Sequence, residues 1–160
     1  MPKKSAGIIL YRFQNNQPEI FLLHPGGPFW AKKDAGSWSI PKGEFAEDEE
    51  ALSAAKRELE EETGIKAEGI FIELTPVKQK SGKTIYAWAL EMEVDPEKII
   101  SNTIFIEWPP RTGFQLEIPE VDRGAWFNME AALSKVVQGQ ASILRELFRK
   151  LAYGTNIQKK

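Results

Sequence analysis

The segment 48–63 limits the possible folds of this chain more than any other. Its apolar residues recur at three- and four-residue spacing, which predicts an amphipathic helix packed on a core. The apolar stripe consists of Leu52, Ala55 and Leu59. Gly64, a residue type that commonly ends a helix, follows directly. The last turns carry four glutamates in five residues, Glu58 and 60–62. Because a helix C-terminus is already partly negative, this arrangement is unfavourable unless a cation binds.

Strand patterns and two further helix patterns surround this helix. Residues 6–13 and 19–24 are rich in strand formers and are separated by a polar turn, which predicts a hairpin. Asn128 is a favoured residue at a helix start and predicts a helix to about Val137. The other predicted strands are 37–40, 65–74, 84–94, 104–108 and 124–127, with an irregular segment at 109–119 and a last helix at 141–153. We therefore expect an α/β fold in which helices pack on a mixed β-sheet.

Length and composition restrict the class of protein. A chain of 160 residues is expected to form one domain, here 1–155, followed by a polar tail at 156–160. The absence of cysteine excludes disulfides and thiolate metal sites, and it suits a cytoplasmic protein. A net charge of −2 argues against nucleic acid or a membrane as a general electrostatic partner. No apolar run approaches the ~20 residues that a membrane-spanning helix needs.

The glutamates of the helix suggest a metal site. Glu58, Glu61 and Glu62 stand at positions i, i+3 and i+4, so they share one side of the helix. Carboxylate oxygens of this kind suit Mg²⁺ or Mn²⁺. Arg57 can orient the first of them through charge-assisted hydrogen bonds, and Glu49, two turns earlier, is a candidate partner for Arg57. The alternative is a solvated helix face without a ligand.

A longer pattern includes this helix. The chain matches Gly-x5-Glu-x7-Arg-Glu-(apolar)-x-Glu-Glu-x-Gly-(apolar) at every fixed position. These positions are Gly43, Glu49, Arg57, Glu58, Leu59, Glu61, Glu62, Gly64 and Ile65. In this pattern the chain resembles the Nudix hydrolase superfamily. The resemblance implies an α/β/α sandwich that hydrolyses a pyrophosphate bond in a nucleoside diphosphate linked to another group.

The same resemblance implies roles for individual residues. Glu58, Glu61 and Glu62 would hold the divalent metal, with the Gly43 carbonyl as a further ligand, and Arg57 would act with them in catalysis. The metal would lower the pKa of a bound water, and a glutamate within hydrogen-bond reach would take the proton of that water.

Two regions outside the pattern supply further candidates. Many Nudix enzymes use one more glutamate as a ligand or base. Glu120 is preferred here to Glu117 because it lies six residues before Trp126, a spacing that resembles the diadenosine-polyphosphate hydrolase branch. Lys42 precedes Gly43 directly, and its Pro-Lys-Gly setting resembles the diadenosine-polyphosphate and diphosphoinositol branches, where this lysine lies near substrate phosphates. The alternative for either glutamate is a solvated loop carboxylate, and the alternative for Lys42 is a surface lysine.

Aromatic residues are candidates for contact with a nucleotide base. Tyr86 lies in a Lys-Thr-aromatic strand that resembles the diadenosine-polyphosphate branch. Trp30, in a loop that also holds Lys33, and Trp38 can stack on a base, although Trp38 is equally suited to a core. The lone histidine, His24, precedes a Pro-Gly-Gly turn and is expected to be a surface residue at a strand end.

These observations favour an Mg²⁺-dependent pyrophosphohydrolase, acting as a monomer or homodimer on a small-molecule nucleotide. The leading substrate class is a dinucleoside polyphosphate. The alternatives are a hydrolase of oxidised nucleoside triphosphates and a Nudix-fold regulator that binds nucleotides without catalysis.

Overall fold

The computed structural model describes residues 3–158, with side chains described through residue 152. The described strands are β1 (Lys4–Gln14), β2 (Gln17–Pro25), β3 (Lys42–Glu44), β4 (Phe71–Glu73), β5 (Val77–Lys78), β6 (Thr84–Glu91), β7 (Thr103–Glu107), β8 (Gln115–Pro119) and β9 (Val121–Asn128). The helices are α1 (Ala51–Thr63), α2 (Met129–Lys135) and α3 (Ala141–Gln158). Among the described residues, no helix is long and apolar enough to cross a membrane.

Seven of these strands form one mixed sheet. Its main path is β4-β6-β1-β2-β9, with β3 paired to β1 and β5 paired to β6. Strands β1 and β6 run parallel, whereas the other pairs are antiparallel. Strand β1 is central and buried from Ser5 to Tyr11, because both of its faces are covered. A strand covered on both faces gives the continuous apolar run in the sequence.

The two faces of the sheet are covered by different helices. One core layer joins Ile9 and Ile20 to helices α2 and α3, and the other joins Ile8 and Phe21 to α1. Successive side chains of a strand point to opposite faces, so neighbouring residues of β1 enter different layers. The expected α/β/α sandwich with a mixed sheet is confirmed.

Helix α1 ends where the sequence predicts. Gly64 adopts a left-handed conformation with φ of 80°, and its N–H donates to the carbonyl of Glu60 at 2.7 Å. A glycine in this conformation closes a helix without a side-chain clash. The helix begins at Ala51, three residues later than predicted, because Glu50 has extended backbone angles.

Other predicted elements differ from the structure. The strand expected over 65–74 is confined to Phe71–Glu73, since Gly69 has a φ of 141° that a strand does not use. Residues 37–40 make only isolated bridges from Trp38 and Ser39, and β3 pairs with β1 instead. The segment expected to be irregular holds β8, which forms a two-stranded sheet with β7.

The ends of the last two helices differ as well. Asn128 caps α2 as predicted, its side chain accepting from the Ala131 N–H at 2.9 Å, but the helix stops at Lys135. Helix α3 continues to Gln158, into the predicted polar tail, and residues 159–160 lie outside those described.

Candidate active site

Three glutamates of α1 face the edge of the sheet at β3. Glu58 and Glu62 are each only 8% exposed, whereas Glu61 is partly exposed. Burial of two acidic side chains on one side of a helix contradicts a fully solvated helix face. Glu60 points to solvent, as expected for a free position of the pattern. The helix therefore presents Glu58 and Glu62 toward the protein and not toward solvent.

Gly43 lies directly against the first of these carboxylates. A Cβ atom built on Gly43 would lie 2.0 Å from Cδ of Glu58 and within 2.3 Å of both of its oxygens. Such a contact is far shorter than atoms tolerate, so a larger residue at this position would force the Glu58 carboxylate out of its place beside β3. The requirement for glycine in the pattern follows from this packing.

Arg57 connects the acidic residues of the helix. Its guanidinium donates two hydrogen bonds to Glu49, at 2.9 and 3.1 Å, which confirms the predicted pair. It also donates to Glu58 at 2.8 Å and to Glu61 at 3.2 Å. These charge-assisted bonds raise the pKa of Arg57 and fix the orientation of two candidate metal ligands.

Glu62 is the most strongly perturbed acid of this cluster. Burial raises its pKa to about 8, with a further rise from Glu120, while the hydrogen bond from the Lys42 N–H at 2.9 Å opposes the rise. Burial also raises the pKa of Glu58, against the hydrogen bond from Arg57. Crowded carboxylates with raised pKa values are typical of sites that bind a cation.

Glu120 reaches the same cluster from a distant part of the chain. It lies between β8 and β9, where its N–H donates to the Asn102 carbonyl and its own carbonyl accepts from the Gly26 N–H, both at 3.0 Å. Its charge raises the pKa of Glu58 and Glu62. Glu117 instead accepts a hydrogen bond from the Thr103 hydroxyl on the exposed β7–β8 sheet.

Two adjoining cavities surround these residues. The larger, about 450 Å³, is lined by Ser5, Lys42, Gly43, Glu44, Glu58, Glu61, Lys83 and Glu120. The smaller, about 190 Å³, is lined by residues that include Glu62. Lys42 and Glu120 line both cavities, so the two form one continuous cleft around the acidic cluster. We call this the acidic cleft.

The acidic cleft has the donor chemistry for a hard divalent cation. Within residues 3–158, no group of three or more acidic, His or Cys side chains is already spaced to hold an ion. The reason is visible in their hydrogen bonds, because Glu58 and Glu61 turn toward Arg57 while Glu62 turns toward the Lys42 N–H. Side-chain rotation is therefore needed to bring the oxygens together. The donor type fits Mg²⁺ or Mn²⁺.

Two lysines line the same cavity as the acidic cluster. Burial lowers the pKa of Lys42, and the nearby Lys83 ammonium lowers it further. Lys83 also donates to Glu44 at 3.2 Å. Two ammonium groups close enough to affect each other, in a cleft that also holds carboxylates, suit a ligand with several phosphates.

Tyr86 lies beside the cleft, whereas Trp30 and Lys33 do not line it. Tyr86 and Gly43 are both paired with Ala6, on either side of β1, and the half-buried Tyr86 ring meets Phe45 edge to face. Trp30 and Lys33 stay on the 26–36 loop, and Lys33 lies over the ring of its neighbour Phe29.

Trp38 and His24 belong to the protein interior. Trp38 is 4% exposed, and its indole N–H donates to Asp34 at 2.8 Å, so no face of the ring is free for a base. The expectation that His24 is a surface residue was wrong, because it is fully buried. Its ring nitrogens contact Asp122 at 2.9 Å and the Lys33 carbonyl at 2.6 Å. The 26–36 loop folds back over the strand end and covers it.

Sequence reasoning missed several residues that line the cleft, namely Ser5, Glu44 and Lys83. The hydroxyl of Ser5 is fully buried, lines the larger cavity and has no hydrogen-bond partner among the described residues. A buried hydroxyl without a partner is unfavourable by about 1–3 kcal/mol. A serine within an apolar strand gives no sequence signal of this kind, because its cleft neighbours come from distant segments that include β3 and α1.

Comparison with known proteins identifies relatives of this chain. The family model for the NUDIX domain matches residues 1–147. The mRNA-decapping protein g5R of African swine fever virus is 36% identical over 101 residues, covering 59% of this chain but only 38% of the viral protein. The asymmetrical bis(5′-nucleosyl)-tetraphosphatase of Rattus norvegicus is 32% identical over 105 residues, covering 58% of this chain and 67% of the rat protein.

A solved structure supports the fold over nearly the whole chain. The Caenorhabditis elegans Ap4A hydrolase in a binary complex superimposes with a TM-score of 0.66 and 23% identity, covering 94% of this chain and 98% of that one. At this level of identity, the likeness establishes a shared fold.

Proposed function

Because this chain belongs to the NUDIX domain family, we propose that it is a divalent-metal-dependent pyrophosphohydrolase whose substrate is a dinucleoside polyphosphate. The observation that carries the proposal is the acidic cleft. There Glu58, Glu61 and Glu120 line one cavity with Gly43 and Lys42, and Glu62 lines the adjoining one. Acidic and basic side chains in the lining of one cleft match the two components that such a reaction needs, a metal ion and a phosphate chain.

The metal would be held by oxygens that converge from three parts of the chain. Glu58, Glu61 and Glu62 come from α1, Glu120 from the β8–β9 junction, and the Gly43 carbonyl from β3. When bound, Mg²⁺ or Mn²⁺ neutralises phosphate charge and lowers the pKa of water. Arg57 positions Glu58 and Glu61 through its hydrogen bonds.

The chain's own groups supply the remaining steps. A water oxygen attacks phosphorus, the bond from that phosphorus to the bridging oxygen breaks, and the leaving phosphate keeps the bond's electrons. Glu61, the partly exposed member of the cluster, takes the proton from the water as general base. Lys42 and Lys83 bind the charged phosphates, and Tyr86 offers an aromatic edge beside the cleft for a base.

A dinucleoside polyphosphate is favoured by the two cleft lysines together with Tyr86. One relative, the rat protein described above, carries the name bis(5′-nucleosyl)-tetraphosphatase. Both lysines lie in the same cavity as the acidic residues, so they can contact phosphates on either side of the bond that breaks. A chain of several phosphates would use this positive charge more fully than a substrate with a single pyrophosphate.

A substrate panel tests the proposal. Dinucleoside polyphosphates, ADP-ribose, oxidised nucleoside triphosphates and diphosphoinositol phosphates are assayed with Mg²⁺ and, separately, with EDTA. We expect hydrolysis of dinucleoside polyphosphates with Mg²⁺ and none with EDTA. Preference for oxidised triphosphates would replace the substrate but keep the reaction, whereas binding without hydrolysis of any compound would favour a nucleotide-binding regulator.

A further inference from the structure

A second cavity, separate from the acidic cleft, is lined by positive charge. It has a volume of about 560 Å³ and lies between the β5–β6 turn and the start of α3. Its charged lining residues are Lys78, Lys80 and Arg145, and no aspartate or glutamate lines it. We call it the basic cavity. None of the residues assigned above to metal binding or catalysis belongs to it.

The three cations of the basic cavity have no acidic partner within the part of the chain that the structure describes. The side chains of Lys78, Lys80 and Arg145 make no hydrogen bond or ion pair with any described residue. Two other cations near the basic cavity do have acidic partners, since Lys150 pairs with Glu146 at 3.9 Å and Lys83 with Glu44 at 3.2 Å. Like charges that share a cavity repel each other, so the arrangement favours an anion.

Neutral donors complete the lining. Gln79, Gln138 and Ser142 contribute amide and hydroxyl groups, and Ser142 lies in the first turn of α3. A Cβ atom on Gly139 would lie 2.6 Å from Nε2 of Gln79, so glycine leaves room for this amide against the cavity wall. The start of a helix carries partial positive charge that adds to that of the three cations. Charge, donors and dipole all suit phosphate oxygens.

One tight turn separates the basic cavity from the acidic cleft. The Gln79 N–H donates to the Lys83 carbonyl at 2.7 Å, and the Gly82 N–H donates to the Gln79 carbonyl at 2.9 Å. Lys83 lines the acidic cleft, whereas Gln79 and Lys80 line the basic cavity. Residues of the same hydrogen-bonded turn therefore line both cavities, so an extended anionic chain that leaves the acidic cleft can reach the basic cavity across this turn.

We propose that the basic cavity is a second binding site for phosphate groups. It takes the part of a long phosphate-containing chain that continues past the acidic cleft, such as the backbone of a nucleic acid with a terminal oligophosphate. This role rests on the proposed function, because it assumes that the acidic cleft holds the pyrophosphate. The same chemistry would also accept a free oligophosphate, and the experiment separates these two sources.

Binding is measured in EDTA, where hydrolysis does not contribute. The first ligand is a short single-stranded RNA with a 5′-triphosphate and a 3′-fluorophore, and its binding is measured by fluorescence anisotropy. The second ligand is inorganic tripolyphosphate, and its binding is measured by calorimetry. We expect the variant Lys78→Gln/Lys80→Gln to bind the RNA about tenfold more weakly. The slope of log K against log salt concentration should become shallower by about 1.4, because two phosphate contacts are lost. Adding Arg145→Gln should weaken binding further.

A matched double variant controls for total charge. Lys66 and Lys98 are exposed, carry no ion pair among the described residues and lie outside the basic cavity, so Lys66→Gln/Lys98→Gln should bind as the unmodified protein does. Weaker binding of RNA alone in the cavity variants supports the continuing chain. Weaker binding of tripolyphosphate as well supports a site for free oligophosphate.

Two results would overturn the site. One is unchanged RNA and tripolyphosphate binding by Lys78→Gln/Lys80→Gln/Arg145→Gln, and the other is an equal loss in the Lys66→Gln/Lys98→Gln control. Hydrolysis of a dinucleoside polyphosphate with Mg²⁺ is measured on the same variants and should be unchanged. If the unmodified protein binds the RNA but hydrolyses none of the proposed substrates, the proposed function is refuted, whereas the anion site is still supported.

Discussion

The carboxylate of Glu58 occupies the space into which any side chain at Gly43 would extend. The two residues come from different elements, α1 and β3, and a Cβ on Gly43 would lie 2.0 Å from Glu58 Cδ. Strand β3 is held in place by its pairing with β1, including the partners Ala6 and Gly43. The backbone of the strand and the carboxylate are therefore in direct contact at the wall of the acidic cleft.

Replacement of this glycine tests the relationship. Gly43→Ala should displace the Glu58 carboxylate and lower turnover about tenfold or more, because metal ligands require close positioning. The measurement is kcat across a titration of Mg²⁺. The same substitution in a Glu58→Ala background is the control, and there it should have little further effect if it acts through Glu58. Additive losses in the double variant would contradict this account.

The role of Glu61 can be separated from the general charge of α1. Glu61→Gln should lower turnover about tenfold or more, since general-base catalysis contributes at least that much. Glu60→Gln is the matched control, because Glu60 is exposed on the same helical turn and lies outside the cleft lining. Circular dichroism should show both variants folded. Equal turnover of Glu61→Gln and the unmodified protein would remove Glu61 from the mechanism.

The choice between the two candidate glutamates outside the helix has a direct test. Glu120→Gln should lower turnover or raise the Mg²⁺ requirement about tenfold, because the Glu120 carboxylate shares the cleft with Glu58 and Glu61. Glu117→Gln should change neither, since Glu117 is bound to Thr103 away from the cleft. Kinetics of both variants at several Mg²⁺ concentrations provide the comparison. A larger loss in Glu117→Gln would reverse the assignment.

Local patterns predicted the acidic helix, and tertiary contacts decided the rest of the cleft. Periodicity placed α1, and Gly64 placed its end, because both signals lie within the segment itself. Glu120 could be ranked above Glu117 only by resemblance, since its approach to Glu62 depends on the β8–β9 junction. Burial of His24 and Trp38 depends on the 26–36 loop and on packing against Phe127, which no local pattern records.

Strand β8 shows the same limit in the fold. Its residues 115–118 alternate between polar and apolar over only four positions, and the strand forms by pairing with β7 across a loop that contains a cis Trp108–Pro109 bond. Pairing partners are not visible in a single segment, so the sequence suggested an irregular chain there. Ser5 shows the same limit in the cleft. Its hydroxyl could be identified as a site residue only from the fold, which places it in one cavity with Lys42 and Lys83.

The raised pKa of Glu62 predicts how stability depends on pH. The folded protein keeps a proton on Glu62 up to a pKa of about 8, whereas an unfolded glutamate loses its proton near pH ~4.3. Stability of the metal-free protein should therefore fall as pH rises from ~4.3 to about 8, by up to ~1.4 kcal/mol per pH unit from this group. Urea unfolding in EDTA across this range measures the slope.

A single substitution isolates this contribution. Glu62→Gln removes the titration while its amide oxygen can still accept from the Lys42 N–H. The variant should lose less stability between pH 5 and 8 than the unmodified protein, with the two closest at low pH. Parallel curves for the two proteins would show that Glu62 does not titrate in this range.

The buried hydroxyl of Ser5 predicts opposite changes in stability and function. Because this oxygen has no partner in the protein, Ser5→Ala should leave stability unchanged or raise it by about 1 kcal/mol. Because it lines the cleft beside Lys42 and Lys83, the same change should raise KM several-fold if the hydroxyl donates to a substrate phosphate. Thermal unfolding and steady-state kinetics of Ser5→Ala and Ser5→Thr measure both effects. A destabilised variant with unchanged KM would assign Ser5 a purely structural role.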